Sequence, residues 1–341
     1  MAEIGGKVMT FDQLAQHIGP DGEFIEVIEL LGKSVPIFDK LGLKASNQLT
    51  SHVVGQRRGL PTTTRRRMNQ GVAPSRGTVD QVTEAITMYA NRSTLDKRMA
   101  DIAGDDVAIA RERLNNGEGH IMSLAQMANK DIWTASTDDD STQYYGMQYR
   151  YNSTTGDTGD NVLLAGGSGS DNCSFYLVGH GPTYAVYPKN YMGGVDHIDH
   201  GVQQVPDGTG VEGALLTAYV DEWCLDLGLV VSDWRHNVRI ANVDVYDILN
   251  VANTQTLTSY GTNMLFLMAE AHHHLPYGGR MCDPEWYMPP SAAIAFDRQA
   301  LARTTDNVFK TEQVDGVSKI TFRGVSVAVD DTLGYNETAI S

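Results

Sequence analysis

The sequence predicts a mixed α+β fold on three observations. A cationic segment poor in large apolar side chains reads as a projecting loop or long hairpin, helical periodicity runs from Asp105 to Thr134, and the second half turns to short β-branched or aromatic runs. At 341 residues with 41% apolar content the chain is long enough for one or two ordinary cores, since chains of this size bury ~75% of their unfolded surface. The three cysteines, Cys173, Cys224 and Cys282, include no CxxC pair. Neither a disulfide framework nor a four-thiolate zinc site is therefore expected, and reduced thiols fit best.

Taken in chain order, the amino terminus (MAEIGGKVMTFDQLAQ) lacks the basic start, apolar run and small-residue cleavage site of a secretory signal. The best apolar stretch, Met264 to Ala269, falls far short of the ~18 residues needed to cross a bilayer, so a soluble protein without membrane contact is expected. From Lys44 to Val79 come seven basic residues (Lys44, Arg57, Arg58, Arg65, Arg66, Arg67 and Arg76) and no acid. The whole chain carries −16, so everything outside this segment carries −23. Gly55, Gly59, Pro61, Gly71, Pro74 and Gly77 punctuate the segment, which should project as a loop or long β-hairpin. Three readings are open for it: a disordered basic insert, an RNA-binding arm, or a device that docks onto an acidic copy of the same protein. The acidic remainder argues against nucleic-acid binding over the whole surface.

Between Asp105 and Thr134, Val107, Ala110, Leu114, Ile121, Leu124 and Ala128 recur at helical spacing and form the expected packing stripe of a long spine helix. Asp105 and Asp106 suit the helix N-terminus. Asn115-Asn116-Gly117-Glu118-Gly119 costs helix propensity and predicts a kink or break, which leaves one long helix or two shorter ones open. Residues 135–172, rich in Ser, Thr, Asp, Gly and Asn, read as irregular connection. Strand-like runs follow at Cys173–Val178, Thr183–Tyr187, Trp223–Val231 and Ile320–Val329, with a short helix or buried strand within Thr256–His273 and another helix within Ser291–Thr304.

Ten histidines and 42 carboxylates call for a test of metal chemistry. The clusters Asp196-His197-Ile198-Asp199-His200 and His272-His273-His274 lack HExxH spacing, and three consecutive rings on a regular element cannot converge on one ion. Both read as loop or packing histidines. GxxxxGK[ST] and GxSxG are absent, and no cysteine lies in a recognisable catalytic context. No cofactor, metal or catalytic residue is assigned, and the prior moves toward a binding or structural role.

Three blocks in the second half carry a resemblance. His180 to Lys189 (HGPTYAVYPK), followed by Gly193-Gly194-Val195 and Asp199-His200-Gly201, resembles a block of the major capsid proteins of tailed bacteriophages. Trp223 to Asp244, with Asp226-Leu227-Gly228-Leu229 and then Asp233 to Asp244 (DWRHNVRIANVD), is similar to a second block, and Phe322 to Asp330 (FRGVSVAVD) to their closing strand. The closing motif departs from its relatives at Ser326, where proline is usual, and in a longer tail that runs on through Asn336-Glu337-Thr338.

The resemblance implies the Hong Kong 97 (HK97) type of coat fold. On it, residues 1–43 are an N-terminal arm, 44–90 an extended loop, 91–135 the spine region of a peripheral domain, 136–316 mainly axial domain, and 317–341 a return to the peripheral sheet. The implied function is an icosahedral head shell of hexamers and pentamers around double-stranded DNA, held without sequence-specific binding, in the virion and before that in the host cytoplasm. A separate scaffolding protein is expected because the arm is too short for a scaffold segment; portal and decoration proteins complete the implied partners. Two alternatives accompany this reading: a cargo-enclosing bacterial nanocompartment shell, and a metal-dependent hydrolase built on the His/Asp clusters.

Overall fold

The computed structural model describes residues 35–103, 106–191, 193–206, 214–251, 264–302, 309–314 and 317–340. Most of the expected arm lies outside them, as does the Val107 side chain. Among the described residues, fourteen strands and five main helices follow in chain order. They are β1 Leu43–Ala45, β2 Ser51–Gly59, β3 Thr78–Ala85, β4 Thr87–Asp96, α1 Lys97–Ala103, α2 Asp106–Thr134, β5 Val162–Leu164, β6 Asn172–His180 and β7 Thr183–Tyr187. After these come β8 Val195–Pro206, β9 Leu215–Val231, β10 Asn237–Asp244, α3 Val245–Val251, α4 Met264–His274, β11 Asp283–Met288, α5 Pro290–Ala302, β12 Phe309–Val314, β13 Val317–Phe322 and β14 Val325–Val329. No described helix is long and apolar enough to cross a membrane.

The chain forms two compact units that interleave in sequence, one on Met88–Ala128 and Met192–Asp226, the other on Ser34–Thr87, Asn129–Tyr191 and Leu227–Ser341. The larger unit holds a mixed sheet in the order β12-β13-β14-β11-β6-β7-β9, with β10 and β5 extending it beside β6 and β1 pairing with β7. Every residue of β6 is buried, because both faces of the sheet are covered there. Strand alternation sends Cys173, Phe175 and Leu177 to one side, into a core with Met264, Leu267, Met268 and Ala271 of α4 and Ala292, Ala295 and Phe296 of α5. Burial there pushes the Cys173 thiol up to about 12, so it serves as a packing residue. The opposite side carries Ser174 and Tyr176, and the Tyr176 ring stacks on Trp133 at 4.9 Å.

The run read as one strand over Ile320–Val329 is a tight hairpin, β13 and β14, because Arg323 and Gly324 both take positive φ and turn the chain. Of the short helix or buried strand expected within Thr256–His273, the structure forms a helix beginning at Met264; residues 252–263 lie outside the described ones. Asp196–His200 lies in β8 rather than in a loop, paired antiparallel with β9 in the smaller unit.

Helix α2 decides between the two alternatives left open at Asn115–Gly119, because it runs as one helix through that stretch. Gly117 is where Trp223 of β9 comes closest, and a Cβ added there would lie 3.0 Å from the Trp223 ring. His120, one turn on, stacks on the same ring at 4.9 Å and 7°, and His197 of β8 stacks on it at 5.2 Å. The glycine thus gives up about 1 kcal/mol of helix propensity to let an indole lie against the backbone.

Candidate assembly surfaces

The basic segment is a two-stranded antiparallel hairpin, β2 against β3, registered from Ser51↔Ala85 to Gly59↔Thr78 with a bulge after Arg57. Its base is anchored by side chains. The Asn47 side chain accepts from the Val53 N–H and donates to the Val53 carbonyl, the Gln56 amide donates to the Val231 and Ser232 carbonyls, and the Tyr184 hydroxyl meets His52 Nε2 at 3.1 Å. Glu84 of β3 is buried and receives Arg150 through two bonds of 2.7 and 2.6 Å. Gly77 is required where the strands meet, since a Cβ there would stand 2.6 Å from the Gly59 carbonyl oxygen.

Beyond Gly59 the chain leaves the ladder and returns at Thr78. Residues 60–77 carry one turn, closed by the Gln70 N–H to the Arg67 carbonyl, with Asn69 at φ 64 as asparagine tolerates. Arg57, Arg58, Arg65, Arg66, Arg67 and Arg76 are all exposed. Arg58 pairs with Asp80 at 3.4 Å and with Asp157; the other five make no ion pair with a described residue. Beside them Leu60, Met68 and Val72 also face solvent, Met68 at 94% exposure. A two-stranded ribbon without its own core gains little from its tip charges, so these side chains are free to be used elsewhere.

The expected stripe on α2 requires correction. Leu124 and Ala128 are buried, whereas Ala110 is exposed, Leu114 is 65% exposed and Ile121 41% exposed. The buried face instead runs through Ile109, Gly117 and Leu124 in the smaller unit, where Ile109 packs with Leu95 and Ala100. Periodicity alone set the stripe one step around the helix, because it counted Leu114 and Ile121 as core and passed over Gly117.

The smaller unit is fastened by charge. Arg113 of α2 donates to both oxygens of Asp221 at 2.8 and 2.6 Å and reaches Asp199 at 2.9 Å. Burial works to raise the Asp221 carboxyl, but Arg113 and His197 outweigh it and hold it below the usual carboxylate range. His200 and Arg92 share Glu222 at 2.8 and 2.7 Å. The histidines of the first cluster therefore face single carboxylates across a strand pair; in the second, His273 lies 3.2 Å from Arg323. Among the described residues, no group of three or more His, Cys, Asp or Glu side chains is placed to hold a metal ion.

In the larger unit, a residue of the closing block ties the chain to α2 and a residue of the second block binds the tail. Asp330 accepts from the Asn129 amide and the Trp133 indole, each at 2.9 Å. Arg239 of β10, 1% exposed, donates to Ser174, to the Gln148 and Tyr151 carbonyls and to Glu337 at 2.7 Å. Sequence reasoning missed these partners. The visible signal was an arginine inside an apolar strand run, a position that requires a buried acceptor.

Across residues 19–341 the sequence matches the family model described as Major capsid protein GP7. No curated protein matches it. Among solved structures, a chain from the structure of bacteriophage Epsilon15 is 23% identical, with a TM-score of 0.75 over 100% of this chain and 99% of that one. The capsid of bacteriophage JBD30 is 9% identical, with a TM-score of 0.51 over 90% and 93% of the two chains. A holo encapsulin complex from Synechococcus elongatus is 10% identical over 70% of this chain and 96% of that one, and its TM-score of 0.45 is too low to carry an argument.

Proposed function

This chain belongs to the Major capsid protein GP7 family, and on that premise we propose that it tiles the icosahedral head shell enclosing the double-stranded DNA of a tailed bacteriophage, its basic hairpin laid over an acidic sibling. It is a tailed-phage major capsid protein of HK97-like fold, and it acts in many copies in the capsid of a virion. The docking reading is carried by one observation: five exposed hairpin arginines have no ion-pair partner among the described residues, on a chain whose remainder bears −23.

Head-to-tail contacts close into rings only when the rotation per subunit is fixed. A hairpin reaching over a neighbour adds contact area toward the ~1,000 Å² a stable interface needs without enlarging either core. Complementary charge contributes orientation more than affinity, and many modest contacts sum through multivalency. On this reading residues 1–43 are the arm, 44–90 the extended loop, 91–135 the spine region, 136–316 mainly axial domain and 317–341 the return strands. Hexamers and pentamers assemble in the host cytoplasm with a separate scaffolding protein and a portal, with a decoration protein as a further partner. The acidic body leaves packaged DNA free to slide during filling.

Electron microscopy of the purified chain, expressed with its genomic neighbours, tests the proposal. Closed shells of uniform diameter are expected; a solitary globule at every concentration contradicts it.

A further inference from the structure

Between α4 and β11 the chain makes a turn that its own packing does not explain. Leu275 is extended, at φ −67 and ψ 131, as a residue before proline must be. The Gly278 N–H then closes a four-residue turn onto the Leu275 carbonyl at 3.1 Å. Pro276 occupies the second position of this turn, and Tyr277 occupies the third at φ 53 and ψ 26. Glycine or asparagine is the usual occupant where that third residue takes positive φ, because a β-carbon there crowds the backbone. Of the four non-glycine residues with positive φ among the described residues, two are asparagines. A tyrosine held in this conformation stores strain, and the intrachain packing does not repay it, since Tyr277 is 77% exposed.

The turn is nevertheless held firmly from below. Leu275 is buried, Gly279 is buried with Leu275 and Pro284 against it, and the Cys282 N–H bonds the Gly279 carbonyl. Arg280 is exposed and makes no ion pair with a described residue, and Met281 is 66% exposed. Tyrosine, arginine and methionine are among the side chains enriched at the centres of protein interfaces, where a rigid aromatic loses little entropy on contact. Another copy offers Arg280 an excess of carboxylates, since the chain outside the basic hairpin carries a net −23.

We propose that the Leu275–Cys282 turn is a preorganised docking knob that inserts Tyr277 and Met281 into a second copy of this chain, with Arg280 on an acidic rim, at a contact separate from that of the basic hairpin. The inference rests on the shell-forming reading. Tyr277 is the anchor, and the strain that fixes its direction is the device that keeps it ready.

The test compares wild type, Tyr277→Gly and Tyr277→Phe, with a photo-crosslinking p-benzoylphenylalanine placed at position 277 in a fourth chain. Glycine relieves the strained conformation, so the unassembled Tyr277→Gly subunit should melt close to or above wild type while its shell yield at fixed concentration falls at least tenfold. The phenylalanine variant should keep most of the yield. Irradiated shells should give adducts joining position 277 to a second copy. Wild-type yield from Tyr277→Gly, adducts confined to one chain, or adducts to a different virion protein would each overturn the proposal. Should wild type itself form no shell, the reading beneath falls and the inference goes with it.

Discussion

At the tail-binding site of the larger unit, Arg239 is sealed from solvent and its guanidinium gives four hydrogen bonds, one to the Glu337 carboxylate and three to neutral oxygens, while stacking near Tyr176. On the hairpin, Arg65, Arg66, Arg67 and Arg76 stand in solvent with no described carboxylate beside them. The residue type is the same and the physical position opposite. A buried guanidinium must have its partners in the same subunit, because leaving either charge unpaired in a low-dielectric interior costs several kcal/mol. An exposed one costs the subunit almost nothing and remains available to another. If the hairpin docks as proposed, stability and assembly are carried by separate sets of charges, and each set should be removable without the other.

The largest expected effect is at the buried set. Arg239→Met leaves Glu337 and the Gln148 and Tyr151 carbonyls without their donor, and urea unfolding of the unassembled subunit should show a loss of about 3–5 kcal/mol. An equal midpoint would mean that Arg239 does not hold the tail. Next comes the long helix, where Leu124→Ala should cost about 2–5 kcal/mol by opening a cavity. Leu114→Ala, one face around, should stay within about 0.5 kcal/mol, and equal losses at the two positions would restore the stripe inferred from periodicity.

Acid is expected to act more mildly and on the subunit alone. Burial lowers the pKa of His52, His120, His180, His236 and His272, so the folded chain prefers these rings neutral. Their stabilising contribution is full above the unfolded value of 6.5 and is lost as pH falls from there through the lowered folded values. The urea midpoint should therefore decline from pH 7.5 to 5.5. A midpoint that rises on acidification would require these histidines to gain charge partners on folding.

The division between the two charge sets also marks how far the sequence could be read. The hairpin was legible because glycine, proline and charge composition act locally, and five of its six arginines need no internal partner to be understood. The strands from Cys173 to Val178 and from Thr183 to Tyr187 were legible from continuous apolar or β-branched runs. The buried face of α2 was not, because Gly117 is defined by Trp223, more than a hundred positions away, and a glycine adds nothing to a hydrophobic pattern. A similar separation in sequence hid the pairing of Arg239 with Glu337 and of Arg113 with Asp221. Arginine in a strand announces that a partner exists without saying which. Tyr277 was invisible for a related reason, since its sign is a backbone angle and not a residue type.

The hairpin is where the smallest change in stability should accompany the largest change in assembly. Arg65, Arg66 and Arg67 replaced together by Ser should leave the urea midpoint of the unassembled subunit within about 0.5 kcal/mol of wild type. Particle counts by electron microscopy from matched preparations of that triple variant and wild type give the most direct test. Folded subunits with few or no closed shells are expected; shells at wild-type yield would show that the hairpin arginines do not dock.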